Sequence, residues 1–256
     1  MEGLRYFFRG TADGTPPIEN FTLPHLLIVL ITAAVAILIV KKRGSLSAGG
    51  KGRILRKLIV ALLLLQQIIL YFWYGFSGYF SIQEGLPLYN CRFAIWMAAF
   101  ALMTRARPLQ AIACYWGVFG SILALASPAL DPFLFPHYTN ISFFGGHMLL
   151  VWAACFILFV DGFEADMGSL RFMLFFTTLY HLLIYAFNRM TDSNYCYLIK
   201  APIAEQFFSH LLPPAGYAFL VIMVWNLMMV AFYLSVQSVC RILSEKEDRD
   251  DSKFAF

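Results

Sequence analysis

The chain alternates long apolar stretches with short polar ones. Runs close to the roughly 20 apolar residues that a helix needs to cross a bilayer occur at about Leu23–Val40, Leu58–Phe80, Pro87–Thr104, Leu109–Ser127, Ser142–Val160, Arg171–Asn188 and Gly216–Cys240. This pattern predicts an all-α fold, a polytopic membrane helix bundle of about seven transmembrane helices. The segment before it, Met1 to Asn20, is mixed, with Thr15-Pro16-Pro17 marking a turn. The first run does not read as a cleavable signal, because a basic cluster follows it and no small-residue cleavage site does. No internal repeat is visible, which argues against an inverted-repeat transporter.

Composition excludes a soluble protein. Hydrophobic residues make up 60% and charged residues 13%, whereas soluble chains carry about 25% charged residues. The mean hydropathy is +0.69. Short loops between the runs predict one integral membrane domain over residues 1–256. The charged tail at 241–256 ends in the mixed-charge stretch SEKEDRDDSKFAF, expected to be a frayed, solvated end.

Charge sets the expected orientation. Lys41, Lys42, Arg43, Lys51, Arg53, Arg56 and Lys57 form a cluster without an acid, which the positive-inside rule places in the cytoplasm. The N-terminus then faces out and the C-terminus in. About fourteen of the nineteen basic residues fall inside on this assignment. The expected location is a cell membrane, crossed several times, with phospholipid or lysophospholipid as partner and no nucleic acid. The oligomeric state is left unassigned.

Placed on this frame, the chemistry-bearing residues gather near the outer face. An ionisable side chain at mid-membrane costs roughly 2.5 to 3.5 kcal/mol, which makes such a position a functional candidate. The stretch FPHYTNISFFGGH, Phe135 to His147, ends by placing His147 inside the fifth run, and Cys91 stands near the start of the third. A thiol and an imidazole are the minimum equipment for nucleophilic acyl chemistry. Pro87 suits a first helical turn. The amides of that turn and the adjacent Arg92 would favour thiolate at Cys91 and supply donors for an oxyanion. The competing readings are Cys91 as a small apolar filler, a Cys91–Cys196 disulfide, and Arg92 reaching up to headgroups.

His137, Tyr138, Asn140, Asn188, Asn194 and Tyr195 lie in or beside outer loops and complete, with Arg92 and His181, the candidate substrate-binding set. His181 sits at mid-membrane, where a proton relay and an interhelical hydrogen bond are both open readings. Gly117 with Ser121 and Gly120 with Ala124 give small-residue spacing suited to close helix packing. No His pair stands at i, i+4, so neither a metal nor another cofactor is expected.

A resemblance adds to this. LPLYNC at 86–91, Tyr115-Trp116-Gly117 through Ser127-Pro128, FPHYTNISFFGGH, and Asn194-Tyr195-Cys196-Tyr197-Leu198 with Lys200-Ala201-Pro202 come in the order found in the YwaF-like family of bacterial integral membrane proteins. The chain resembles that family from about Leu86 to Pro214. It departs from it at Lys200-Ala201-Pro202, where the family reads Lys-Pro, and at Leu212-Pro213-Pro214-Ala215, where the family reads Gly-Pro-Trp-Pro. The family looks distantly similar to vertebrate multi-pass acyltransferases that remodel ether phospholipids through a Cys and His pair. It is also similar to androgen-induced-gene-type hydrolases, which use Thr and His. The resemblance implies Cys91 as nucleophile, His147 as base and a bacterial plasma membrane.

Three functions are therefore expected to compete. The first is a lipid acyltransferase or lipid ester hydrolase with a thioester on Cys91. The second is a zinc-dependent lipid hydrolase drawing on His137, His147 and His25 or Asp131. The third is a non-enzymatic lipid-binding or transport protein.

Overall fold

The computed structural model describes residues 2–14, 22–202 and 211–253. The expected turn at Thr15-Pro16-Pro17 lies outside the described residues. Among the described residues the chain is helical and without strands. The elements are α1 (Glu2–Phe7), α2 (Leu23–Lys41), α3 (Arg43–Ala48), α4 (Gly50–Ser77), α5 (Asn90–Thr104), α6 (Arg107–Ala126), α7 (Tyr138–Phe159), α8 (Met167–Thr191) and α9 (Pro214–Lys253), with a short 3-10 turn at Tyr195–Tyr197.

Six of these helices are long and apolar enough to span a membrane: α2, α4, α6, α7, α8 and α9 as far as Glu245. The chain is thus a multi-pass helical membrane protein. The seventh expected span, α5, has 15 residues and reaches about 22 Å at 1.5 Å per residue, short of the roughly 30 Å hydrocarbon core. It starts at Asn90 rather than Pro87 because Tyr89 is extended (φ −70°, ψ 140°). Pro87 therefore precedes the helix instead of opening it, while Cys91 remains in its first turn.

Helix ends follow local chemistry. Pro24 and Pro108 stand in the first turns of α2 and α6, where a missing N–H costs nothing. α4 stops where Gly78 turns left-handed, at φ 72°, a conformation that glycine adopts without steric penalty. Asp166 caps α8 by accepting from the Ser169 amide at 2.8 Å. In the charged tail the backbone of Arg241–Lys253 continues α9, and residues 254–256 of the expected frayed end lie outside the described residues.

α7 is the centre of the bundle, in contact with α2, α4, α5 and α6. Ala94, Ala98 and Ala101 on α5, Ala113 on α6, and Ala153 and Ala154 on α7 are fully buried, and such small residues let helix backbones approach closely. Gly117 shows how close: a Cβ there would sit 3.1 Å from Leu150 of α7. The bundle has two polar ends. One holds the start of α5 and α7. The other holds the start of α4, α6 and α8, with the arginines that surround Asp161.

Candidate functional site

The first turn of α5 meets the middle of α7. His147 lies nine residues into α7, about 14 Å along its axis, because α7 begins at Tyr138 and not at the expected Ser142. The earlier start comes from His137, whose imidazole accepts the Thr139 amide as the helix cap. The His147 side chain is buried. Its Nδ1 donates to the Phe143 carbonyl at 2.6 Å, so the neutral ring carries its lone pair on Nε2. That atom is buried and takes part in no formed hydrogen bond. The Cys91 thiol is its neighbour, within side-chain hydrogen-bonding reach of the imidazole. Thiol and ring are thus neighbours that interact electrostatically, with no hydrogen bond formed between them.

The walls around Cys91 come from α6, α8 and α9. A Cβ at Gly120 would lie 4.0 Å from the Cys91 Cβ and 3.9 Å from Trp225. Asn90, one residue before the thiol, accepts from His181 Nε2 through Oδ1 at 3.1 Å. Both residues are buried, and Asn90 Nδ2 and His181 Nδ1 are left without partners. His181 also lies parallel to Trp116, with centroids 6.1 Å apart. Of the two readings open for His181, the interhelical hydrogen bond is present.

Arg92 is tied down beside this pair. Its guanidinium donates to the Glu84 carbonyl at 2.7 Å and to the Tyr74 hydroxyl at 3.1 Å, with the rings of Tyr74 and Tyr89 below it. Cys91 and Asp131 are within its electrostatic reach. Burial pushes the Asp131 carboxyl above its ordinary range, and the Arg92 guanidinium opposes that shift.

The remaining candidates hold loops together. His137 is fully buried, stacked 3.9 Å from Phe133. Its Nε2 donates to the Arg9 carbonyl at 3.0 Å, and its Nδ1 takes Thr139, so both ring nitrogens are committed. Tyr138 donates to the Gln66 carbonyl at 2.6 Å, and Asn140 to the Phe133 carbonyl at 3.1 Å. Asn188 receives the Tyr195 amide and the Ser193 hydroxyl. Asn194 receives the amides of Ile199 and Lys200. Tyr195 donates to the Ile82 carbonyl and accepts the Leu86 amide, which fixes the loop ahead of Cys91. Structure therefore brings Cys91, His147, Arg92 and, through Asn90, His181 together.

All five cysteines are free, and the Cys196 thiol donates instead to the Leu88 carbonyl at 3.2 Å. His25 is bonded to the Leu125 carbonyl at 2.6 Å. Among the described residues no three His, Cys, Asp or Glu side chains converge as a metal site would require, so His25, His137 and His147 do not form a ligand set. Asn90 is the residue at this site that the sequence pattern does not single out; its place next to the thiol in the chain is the available signal.

The fold and these side chains define a polytopic α-helical membrane protein with a cysteine and a histidine as neighbours inside the bundle. The chain belongs to the TMEM164 family, whose model matches residues 20–234. No curated protein and no solved structure matches it.

Proposed function

We propose that the protein is a membrane-embedded lipid acyltransferase, or lipid ester hydrolase, working through a thioester on Cys91 with His147 as base. The observation that carries this is a buried imidazole beside Cys91 whose Nδ1 is spent on the Phe143 carbonyl and whose Nε2 is left without a partner. That bond fixes the tautomer with Nε2 as the proton acceptor, the role a carboxylate plays in other nucleophile and base pairs.

In the proposed cycle Nε2 takes the thiol proton as Sγ attacks the acyl carbonyl of a phospholipid. The ester C–O bond breaks, the imidazolium returns the proton to the departing lysolipid oxygen, and the acyl group stays on sulfur. His147 then takes a proton from the hydroxyl of a second lysolipid, or from water. That oxygen attacks the thioester, the C–S bond breaks, and the thiolate is reprotonated. The first-turn amides of α5 and the free Nδ2 of Asn90 are the donors available to a developing oxyanion. Arg92, held beside the thiol by Glu84 and Tyr74, suits a headgroup phosphate.

In this reading the N-terminus faces out, as the basic cluster at 41–57 supports, and the membrane is the plasma membrane. The thiol then opens to the outer side, away from soluble acyl-coenzyme A, so a diacyl lipid is the donor. The test is transfer of labelled acyl chain from phospholipid to lysolipid by the purified protein without coenzyme A. Wild type should transfer and Cys91→Ala should not. Transfer by Cys91→Ala refutes the thioester, and transfer only with acyl-coenzyme A refutes the donor and the orientation.

A further inference from the structure

The arginine-rich end of the bundle carries two adjoining hollows that the Cys91 chemistry does not use. One is a cavity of about 280 Å³ at the α3–α4 junction, whose lining includes Arg53, Arg56 and Arg105 with Ser47 and Gly50. Beside it an apolar groove of about 310 Å³ runs between α2 and α4, lined by Val35, Ile39, Ile59 and Trp152, with Lys42 at its rim. Leu46 lines both. The junction depends on Gly52: a Cβ there would collide with the Leu46 carbonyl oxygen, so a side chain at 52 would push α3 away and part the two hollows.

The cavity has unspent positive charge. Asp161, beside it, has a fully buried side chain and receives both Arg56 and Arg105 on Oδ1. Asp161 orients those two guanidiniums and offsets only one of three charges. Arg53 is exposed and joins no ion pair among the described residues. Arg56 Nε is buried without a partner. Planar guanidiniums converging on one hollow suit a phosphate, which they hold with paired donors. Free phosphate would leave the neighbouring groove bare, whereas a phosphate attached to acyl chains fills both. Basic pockets between membrane helices are matched to anionic headgroups.

We propose that this end of the bundle binds one anionic glycerophospholipid, with its phosphate among Arg53, Arg56 and Arg105 and an acyl chain in the groove between α2 and α4. The site is separate from the Cys91–His147 pair, since α5 alone places about 21 Å between Asn90 and Thr104. It does not rest on the thioester chemistry.

The test is native mass spectrometry of the delipidated full chain in detergent, titrated with phosphatidylglycerol, with phosphatidylcholine and with inorganic phosphate. Wild type should retain one phosphatidylglycerol, and phosphatidylcholine more weakly. Arg53→Gln with Arg105→Gln should cut phosphatidylglycerol retention about tenfold. Val35→Trp, which fills the groove, should also reduce it, and inorganic phosphate should not displace the lipid. Arg53→Gln alone, at an exposed position, gives a folded variant with an intermediate loss, and Lys51→Gln, outside the lining, should change nothing. Equal retention by the double arginine variant overturns the proposal. So does indifference to headgroup charge, or displacement by inorganic phosphate, which would make the cavity a plain anion site.

Discussion

The Asn90–His181 contact ties the start of α5, and hence the thiol, to α8. Replacing Asn90 with Leu should weaken that tie in a measurable way. Asn90 is 4% exposed and His181 is wholly buried; they share one hydrogen bond of 3.1 Å, and each already has one unpartnered polar atom. Removing one partner orphans the other at a cost of about 1 to 3 kcal/mol, partly relieved because the lost side chain takes its own unpartnered atom with it. About 1.5 kcal/mol is therefore expected for Asn90→Leu and for His181→Leu. The double variant should cost less than the two together, with a coupling of about 0.6 to 1.7 kcal/mol, the range of interhelical hydrogen bonds in membranes. Reversible unfolding in mixed micelles, run as a double-mutant cycle, gives the number. Alkylation of Cys91 should also slow in Asn90→Leu, since the first turn of α5 loses its anchor. Strict additivity, with alkylation unchanged, would show that the contact neither stabilises the bundle nor positions the thiol.

Three further outcomes follow from the same geometry. Cys91 should react with a maleimide faster than the enclosed Cys114, and His147→Ala should slow Cys91 at least tenfold; equal labelling of the two cysteines, or no effect of His147→Ala, would remove the base. The N-terminal segment should loosen in acid. Burial holds the His137 pKa below its ordinary value, so the unfolded segment binds the proton more readily. The stability this contact gives is present above about pH 6.5 and lost as pH falls below it, while Asp13, lowered chiefly by its hydrogen bond from Arg9, stays charged. Hydrogen exchange at residues 2–14 at pH 7.5 and 5.5 measures this, and equal protection would contradict it. Asp161→Leu should cost about 1 to 2 kcal/mol, chiefly through the half-buried Arg56, since the exposed Arg105 turns to solvent, and a thermal melt unchanged from wild type would refute that role.

The bundle was legible because hydropathy reports burial in lipid directly: each long helix coincides with an apolar run. Its ends were less legible. α5 starts at Asn90 and α7 at Tyr138 because Tyr89 and His137 take extended backbone at those points, and neither is a typical capping residue. The Cys91 and His147 positions stood out as thiol and imidazole in apolar runs. Which polar residues serve the site was not legible, because an amide or imidazole near a helix end can bond backbone as readily as ligand. Asn188, Asn194 and Tyr195 spend themselves on the loop before α5, and His137 on the Arg9 carbonyl. Those partners lie far away in sequence, and nothing in the local pattern names them. The docking of Phe8 and Arg9 over Trp73 and Phe133 is of the same kind.

The central claim is that an acyl group resides on Cys91, and intact-protein mass spectrometry after brief incubation with a diacyl phospholipid tests it most directly. The expected result is a mass increase of one acyl chain, mapped to the peptide holding Cys91, released by neutral hydroxylamine as a thioester is, absent in Cys91→Ala, and slower to form in His147→Ala. An unmodified Cys91 during active turnover, or an adduct that persists in Cys91→Ala, would contradict it.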